Sequence, residues 1–252
     1  MKITLSVIKA DVGSIGGHTK PSEKMLELVR SRVTEAISQK LLIDGFVSHT
    51  GDDIAILMSH IHGVGATAVH RFAWECFLAA TKEAQRAGLY GAGQDLLVDA
   101  PAGTVRGAGP AVAEIEFMRD PESKNRPAEA FALFAADKCG PGSYNYPLYS
   151  VFCDPMHDGG LLLNPKMRKG FIVTVIDMDH KDGDRIIKLE IPERIWDLAV
   201  FMQNPDRFAI EAIHSRYDPE EQIASVSATR LHNIAGKYTG KDDPVALVRT
   251  QG

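Results

Sequence analysis

A chain of 252 residues, 44% hydrophobic and 24% charged, can bury a full core and is too apolar to stay disordered. Its net charge of -5 gives no basic footprint, so nucleic acid is excluded as the expected partner, and acidic residues grouped in loops would favour divalent cations instead. Cys76, Cys139 and Cys153 are too scattered for a CxxC zinc pair and odd in number for a disulfide framework, which fits a reducing cytoplasmic setting.

Met1 leads straight into an alternating pattern that predicts a strand over about 3–10, with no charged leader or long apolar run, so no export or membrane route is expected. The loop from Asp11 to His18 carries three glycines, which let backbone and side chains crowd a ligand. Pro21 and Ser22 suit a helix start, and Met25, Leu26, Val29, Val33 and Ile37 recur near helical spacing. Phe46 to His49 and Ile54 to Ser59 read as strands joined by the tight turn Thr50-Gly51-Asp52-Asp53. A second helix is expected over about 66–87, stopped by Gly88. Its Phe72, Trp74, Phe77 and Leu78 are expected in the core, as are Trp196 and Phe201 further on.

A glycine-rich, lid-like loop runs from Tyr90 to Pro110. Val112 to Phe117 and Ala130 to Ala136 read as a strand pair, the second of which delivers Asp137 and Lys138 to its end. An irregular stretch over 140–147 precedes a hairpin of Phe171 to Met178 with a strand ending at Ile191, turning at Lys181 to Asp184. A helix from Pro192 to Met202 and strands near 208–217 and 224–230 lead to the turn from Leu231 to Pro244. Hairpins dominate and no repeat or linker interrupts them. The fold class is therefore α/β of the α+β kind, a single domain over 1–252 with mixed, largely antiparallel sheets.

The acidic residues then stand out. Asp11 follows the first strand, Asp52 and Asp53 share a hairpin turn, Asp137 ends a strand, and Asp242 and Asp243 close the last turn. A single Asp in a turn commonly serves turn chemistry. Adjacent pairs occurring twice repel themselves unless a cation offsets them, and oxygen ligands with one imidazole, His18, suit magnesium or manganese. Gln94 would add a neutral oxygen. Lys241 lies between Gly240 and Asp242, with the phenol of Tyr238 three residues upstream. An imine-forming lysine needs a lowered pKa and a proton-shuttling neighbour, and metal on Asp242 and Asp243 would remove the carboxylate charge that opposes the first. Gly103 to Pro110 offers backbone amides to a phosphate, with Arg106 and Lys138 supplying charge; a ligand-free surface loop fits that spacing equally well.

Five stretches together, Ser6 to Gly13, His49 to Asp53, Leu89 to Leu97, Val105 to Pro110 and Ile234 to Pro244, resemble the archaeal bifunctional fructose-1,6-bisphosphate aldolase/phosphatase family over the whole chain. The resemblance implies a four-layer α-β-β-α sandwich, a cytoplasmic homo-octamer, and one site that performs two gluconeogenic reactions. Dihydroxyacetone phosphate, held as an imine, would condense with glyceraldehyde 3-phosphate. Fructose 1,6-bisphosphate would then lose its 1-phosphate with several Mg2+ ions.

By the same resemblance Lys241 forms the imine, Tyr238 moves its protons, and Asp11 is the base toward the hydrolytic water. Asp11, His18, Asp52, Asp53, Gln94, Asp137, Asp242 and Asp243 match metal ligands, while His18, Tyr90, Gly103, Thr104, Lys138 and Gln251 match substrate contacts. Thr104 departs from the family's usual asparagine, and the family's pattern continues past the equivalent of Gly252. Two alternatives follow: a catalytically impaired sugar-phosphate-binding or assembly subunit, or a Mg2+-dependent phosphatase without the aldolase step.

Overall fold

The structure is a computed structural model that describes residues 1–96, 110–119, 130–154, 156, 169–179, 185–227 and 244–250. Among them the chain forms ten strands and four α-helices: β1 Lys2–Asp11, α1 Glu23–Ser38, β2 Asp44–Thr50, β3 Asp53–His60, α2 Thr67–Arg86, β4 Ala111–Met118, β5 Phe131–Ala135, α3 Asn145–Phe152, β6 Phe171–Asp177, β7 Arg185–Ile191, α4 Ile195–Met202, β8 Phe208–Ser215, β9 Gln222–Val226 and β10 Val245–Arg249. The strands make two antiparallel sheets, one ordered β2-β3-β1-β4 and the other β5-β10-β9-β8-β6-β7.

Alternation along each strand sorts side chains between two apolar layers. Ile8 and Ala10 of β1, with Ile54, Ile56 and Met58 of β3, face α1 and α2, which contribute Met25, Val29, Val33, Ala73 and Phe77. Val7, Ala111, Ala113 and Ile115 point the other way and meet Val245 and Leu247 of β10. The opposite face of the second sheet, with Val173, Ile210 and Ala246, packs on Leu148 of α3 and Leu198 of α4. Phe77 is fully buried, and its truncation to alanine would cost about 3–5 kcal/mol. Ser22 caps α1 by accepting from the Met25 backbone N–H, as the Pro-Ser start predicts.

Four expectations need correction. β4 and β5 are both strands but do not pair: β4 joins β1 in the first sheet and β5 joins β10 in the second, because their apolar faces meet across the layer between the sheets. The stretch expected to be irregular holds a 3-10 turn and α3, whose Pro147 falls in the first helical turn, where its missing N–H removes no bond. Trp196 is 82% exposed rather than core, since α4 buries only Leu198. Leu78 lies on the outward side of α2 and is likewise exposed. The turn at 181–184 lies outside the described residues, as does 228–230. No helix among the described residues is long and apolar enough to cross a membrane.

A buried polar network sits under the N-terminal end of α2. Ser6 Oγ donates to Glu114 Oε1 at 2.6 Å and lies 2.8 Å from His60 Nε2. His70 Nε2 of α2 stands 3.0 Å from Glu114 Oε1, and the Gly65 N–H donates to Glu114 Oε2 at 2.7 Å. Burial pushes Glu114 up, but the hydrogen bond and charge of His70, with the Ser6 and Gly65 donors, outweigh it and hold the carboxyl below its ordinary range. Burial, helped by the charges of His62 and His70 and opposed by those of Glu114 and Glu116, pushes His60 down to about 4.

Candidate metal centre

The acidic end of the first sheet is built where β1 stops and β3 starts. Asp11 and Asp53 are cross-strand partners, the last pair of the β1–β3 ladder. Gly51 and Asp52 form the two-residue turn between paired Thr50 and Asp53. Gly51 takes φ +56°, the left-handed conformation that glycine adopts with least strain. A β-carbon there would collide with the Asp137 carboxylate, so the same glycine lets the end of β5 close onto the hairpin turn.

His18 comes in from the loop after β1. Two glycines with φ of +55° and +68° precede it, and His18 itself adopts φ +60°, an uncommon state for a residue with a side chain. The Ser14 hydroxyl holds it by accepting the His18 N–H at 2.9 Å, and Ser14 in turn exchanges backbone bonds with Tyr90. The imidazole Nδ1 thereby lies 2.6 Å from Asp52 Oδ2 and 3.8 Å from Asp11 Oδ2. Tyr90 meets the His18 ring edge-on at 4.5 Å between centroids. Gln94 Oε1 and His18 Cε1 both approach Gly91, so the Gln94 side chain lies in the neighbourhood of the His18 ring.

Asp11, His18 and Asp52 offer three ligand atoms within 4.8 Å of one another. Asp11 is pushed up to about 7, first by burial and then by the charges of Asp52 and Asp95, against partial relief from the Gly13 N–H and His18. Burial also raises Asp52, but hydrogen bonds from His18, its own backbone N–H and Lys138 win, and it ends below the usual carboxylate range. Lys138, with φ +61°, places its ammonium 2.8 Å from Asp137 and 3.2 Å from Asp52 Oδ1. The Asp137 hydrogen bond leads in holding that lysine well above its ordinary value. Buried carboxylates crowded this closely, with one imidazole, fit a hard divalent cation, whose charge would remove the penalty on Asp11.

The sequence reading therefore assembles in part. Asp11, His18, Asp52, Asp137, Lys138, Gln94 and Tyr90 converge on one place. Asp53 is there too, but its carboxylate is ion-paired to a buried lysine, Lys9. Tyr238, Lys241, Asp242, Asp243, Gly103, Thr104, Arg106 and Gln251 lie outside the described residues. Their described neighbours end close by: the Pro244 carbonyl accepts from the backbone N–H of Ala136, which precedes Asp137, and Ala111 lies opposite Lys9.

Two contributors went unnoticed in the sequence. Asp95 accepts the Asp11 backbone N–H at 2.9 Å and so fixes the end of β1. Lys9 occupies an inward position of an alternation whose neighbours Leu5 and Val7 are apolar, and that break in the pattern was the signal.

The fold and site define an α/β protein of antiparallel sheets with a carboxylate–imidazole centre able to hold a metal ion. Across residues 2–252 the chain matches the family described as fructose-1,6-bisphosphatase, and it belongs to that family. It is 53% identical over 251 residues to a fructose-1,6-bisphosphate aldolase/phosphatase of Thermus thermophilus, covering 100% of this chain and 67% of that protein. Proteins of the same name from Cenarchaeum symbiosum, at 45% identity, and Methanothermobacter marburgensis, at 41%, are covered to 63% and 66% of their length. The chain thus spans about two thirds of the length of these relatives.

Proposed function

We propose that this chain carries the catalytic centre of a Mg2+-dependent, bifunctional fructose-1,6-bisphosphate aldolase/phosphatase acting in gluconeogenesis. The observation that carries the reading is the convergence of Asp11, His18 and Asp52 beside Lys138, in a chain whose relatives bear both activities in their name. Mg2+ on this centre would supply charge stabilisation to a transferring phosphoryl group. Asp52 meets the imidazole of His18 with one oxygen and the ammonium of Lys138 with the other, and that ammonium, held chiefly by Asp137, would supply positive charge to a sugar phosphate bound beside the centre. Asp11, at the strand end, would accept the proton of the attacking water.

The aldolase half rests on the resemblance of Lys241 and Tyr238. Lys241 would hold dihydroxyacetone phosphate as an imine, and Tyr238 would pass protons for its condensation with glyceraldehyde 3-phosphate. Gly103, Thr104 and Gln251 would complete the grip on substrate, and Asp53, Gln94, Asp137, Asp242 and Asp243 the metal shell. The two sheets with helices on their outer faces support a four-layer α-β-β-α sandwich and a single domain. A homo-octamer in the cytoplasm is part of the same proposal.

Borohydride reduction in the presence of dihydroxyacetone phosphate tests the first half. A covalent adduct on Lys241 is expected, and an unmodified lysine refutes it. Phosphate release from fructose 1,6-bisphosphate with Mg2+, lost on chelation, tests the second. Lys241→Ala should end condensation and spare some hydrolysis.

A further inference from the structure

Lys9 is buried to 1% exposure in the layer between the sheets, where apolar Leu5 and Val7 precede it along that face of β1 and Asp11 follows. The cross-strand partners on either side are Ala55 and Ala111, and their single methyl groups leave room for the lysine stem. Its ammonium ends on the Asp53 carboxylate, itself fully buried. Asp53 faces Asp11 across the ladder, two residues along β1 from Lys9.

Taking a lysine out of water into an apolar layer is unfavourable, and apolar replacements of such pairs are commonly neutral or stabilising. The position of this pair gives it a different use. Like charges directly opposite one another on a sheet repel, and Asp11 also feels Asp52 and Asp95. A fixed ammonium on the same face offsets that repulsion with no ion bound. The same ammonium occupies an Asp53 oxygen and repels an arriving dication, in a setting where little water screens the interaction.

We propose that Lys9 is a positioning residue that acts as an internal counter-cation: it holds Asp53 when divalent ions are absent, competes with them for that carboxylate, and so sets how tightly the centre takes up metal. The proposal rests on the metal reading of the Asp11 centre. It makes ion uptake an exchange of one cation for another at Asp53, which keeps the bound metal replaceable.

Mn2+ titration of chelator-treated protein tests it, with melting curves recorded in EDTA and in Mn2+. Lys9→Met and Lys9→Gln should both bind Mn2+ more tightly than the parent, with Kd lower by roughly tenfold or more. Both should melt lower than the parent in EDTA and gain more from Mn2+ than it does, by linkage of binding to stability. Lys9→Arg, which keeps the charge, should retain the parent Kd. Lys9→Gln still offers Asp53 a hydrogen bond, so it carries the test where Lys9→Met does not fold.

Unchanged or weaker Mn2+ binding in folded Lys9→Gln overturns the proposal, as does a melting loss that Mn2+ does not repair. Failure of both neutral variants to fold even with Mn2+ also overturns it, because an ion taking over Asp53 should restore the sheet. A parent that binds no Mn2+, or binds it unchanged in Asp52→Ala, defeats the metal reading itself.

Discussion

The middle and the C-terminal end of β1 bury polar groups in opposite ways. At the middle Ser6, His60, His70 and Glu114 form a network in which one carboxylate receives a hydroxyl, an imidazole and a backbone N–H. At the C-terminal end Asp11, Asp52, Asp53, Asp95 and Asp137 crowd together with Lys9, Lys138 and His18 as their cationic or imidazole neighbours. The first has its carboxylate charge matched by donors within the chain, and only His70 Nδ1 among its atoms lacks a partner among the described residues. The second carries more carboxylate than the described residues neutralise, and that excess is what a metal ion would use.

Variants at the two places should therefore separate binding from stability. The largest effect is expected for Asp52→Ala, which removes the oxygen pair shared by His18 and Lys138. Mn2+ binding and phosphate release should each fall by about a hundredfold or more, with the fold kept, measured by calorimetric titration and a phosphate assay. Glu114→Gln should do the reverse. It should lower unfolding stability by about 3 kcal/mol in urea melts while leaving Mn2+ affinity at the parent level, because three donors lose their charged acceptor.

Acid should act on the same network. His60 is neutral in the fold down to about 4 but takes a proton near 6.5 when unfolded, so its contribution is complete above 6.5 and is lost as pH falls from 6.5 toward 4. The loss is at most about 3 kcal/mol, and Glu114, held below its unfolded value of 4.5, adds to it below that pH. Asp11, held up at about 7 without metal, works the other way over this window, so the His60 part is read as a difference: as pH falls from 7 to 4 in EDTA, the parent should lose more stability, or gain less, than His60→Gln. A slope that survives the substitution unchanged would remove His60 from the account. The smallest effect is expected for Ser6→Ala, about 1–2 kcal/mol in the same melts, since Glu114 keeps two of its three donors.

The local elements were legible because each is written in consecutive residues. The alternation of β1, the Pro21-Ser22 start of α1, the hairpin about Gly51 and the Gly88 stop of α2 all appear within a residue or two of their expected places. The places of Asp52 in a turn and Asp11 at a strand end were legible for the same reason. The partner of β4 was not legible, because nothing in a strand's own sequence names the sheet it will join. Trp196 misled for a related reason: an apolar helix signals burial, but α4 turns only one narrow face to the sheet.

By itself, then, the sequence marked candidate cation ligands and the elements that would carry them, through spacing and the chemistry of their side chains. Only the tertiary structure decided that Lys9 would spend its charge on Asp53, that Asp95 would hold the end of β1, and that Ser6 would bridge His60 to Glu114. Those partners are 44 to 108 residues apart in the chain, and strand register with side-chain reach brings them together across the sheet rather than any local pattern.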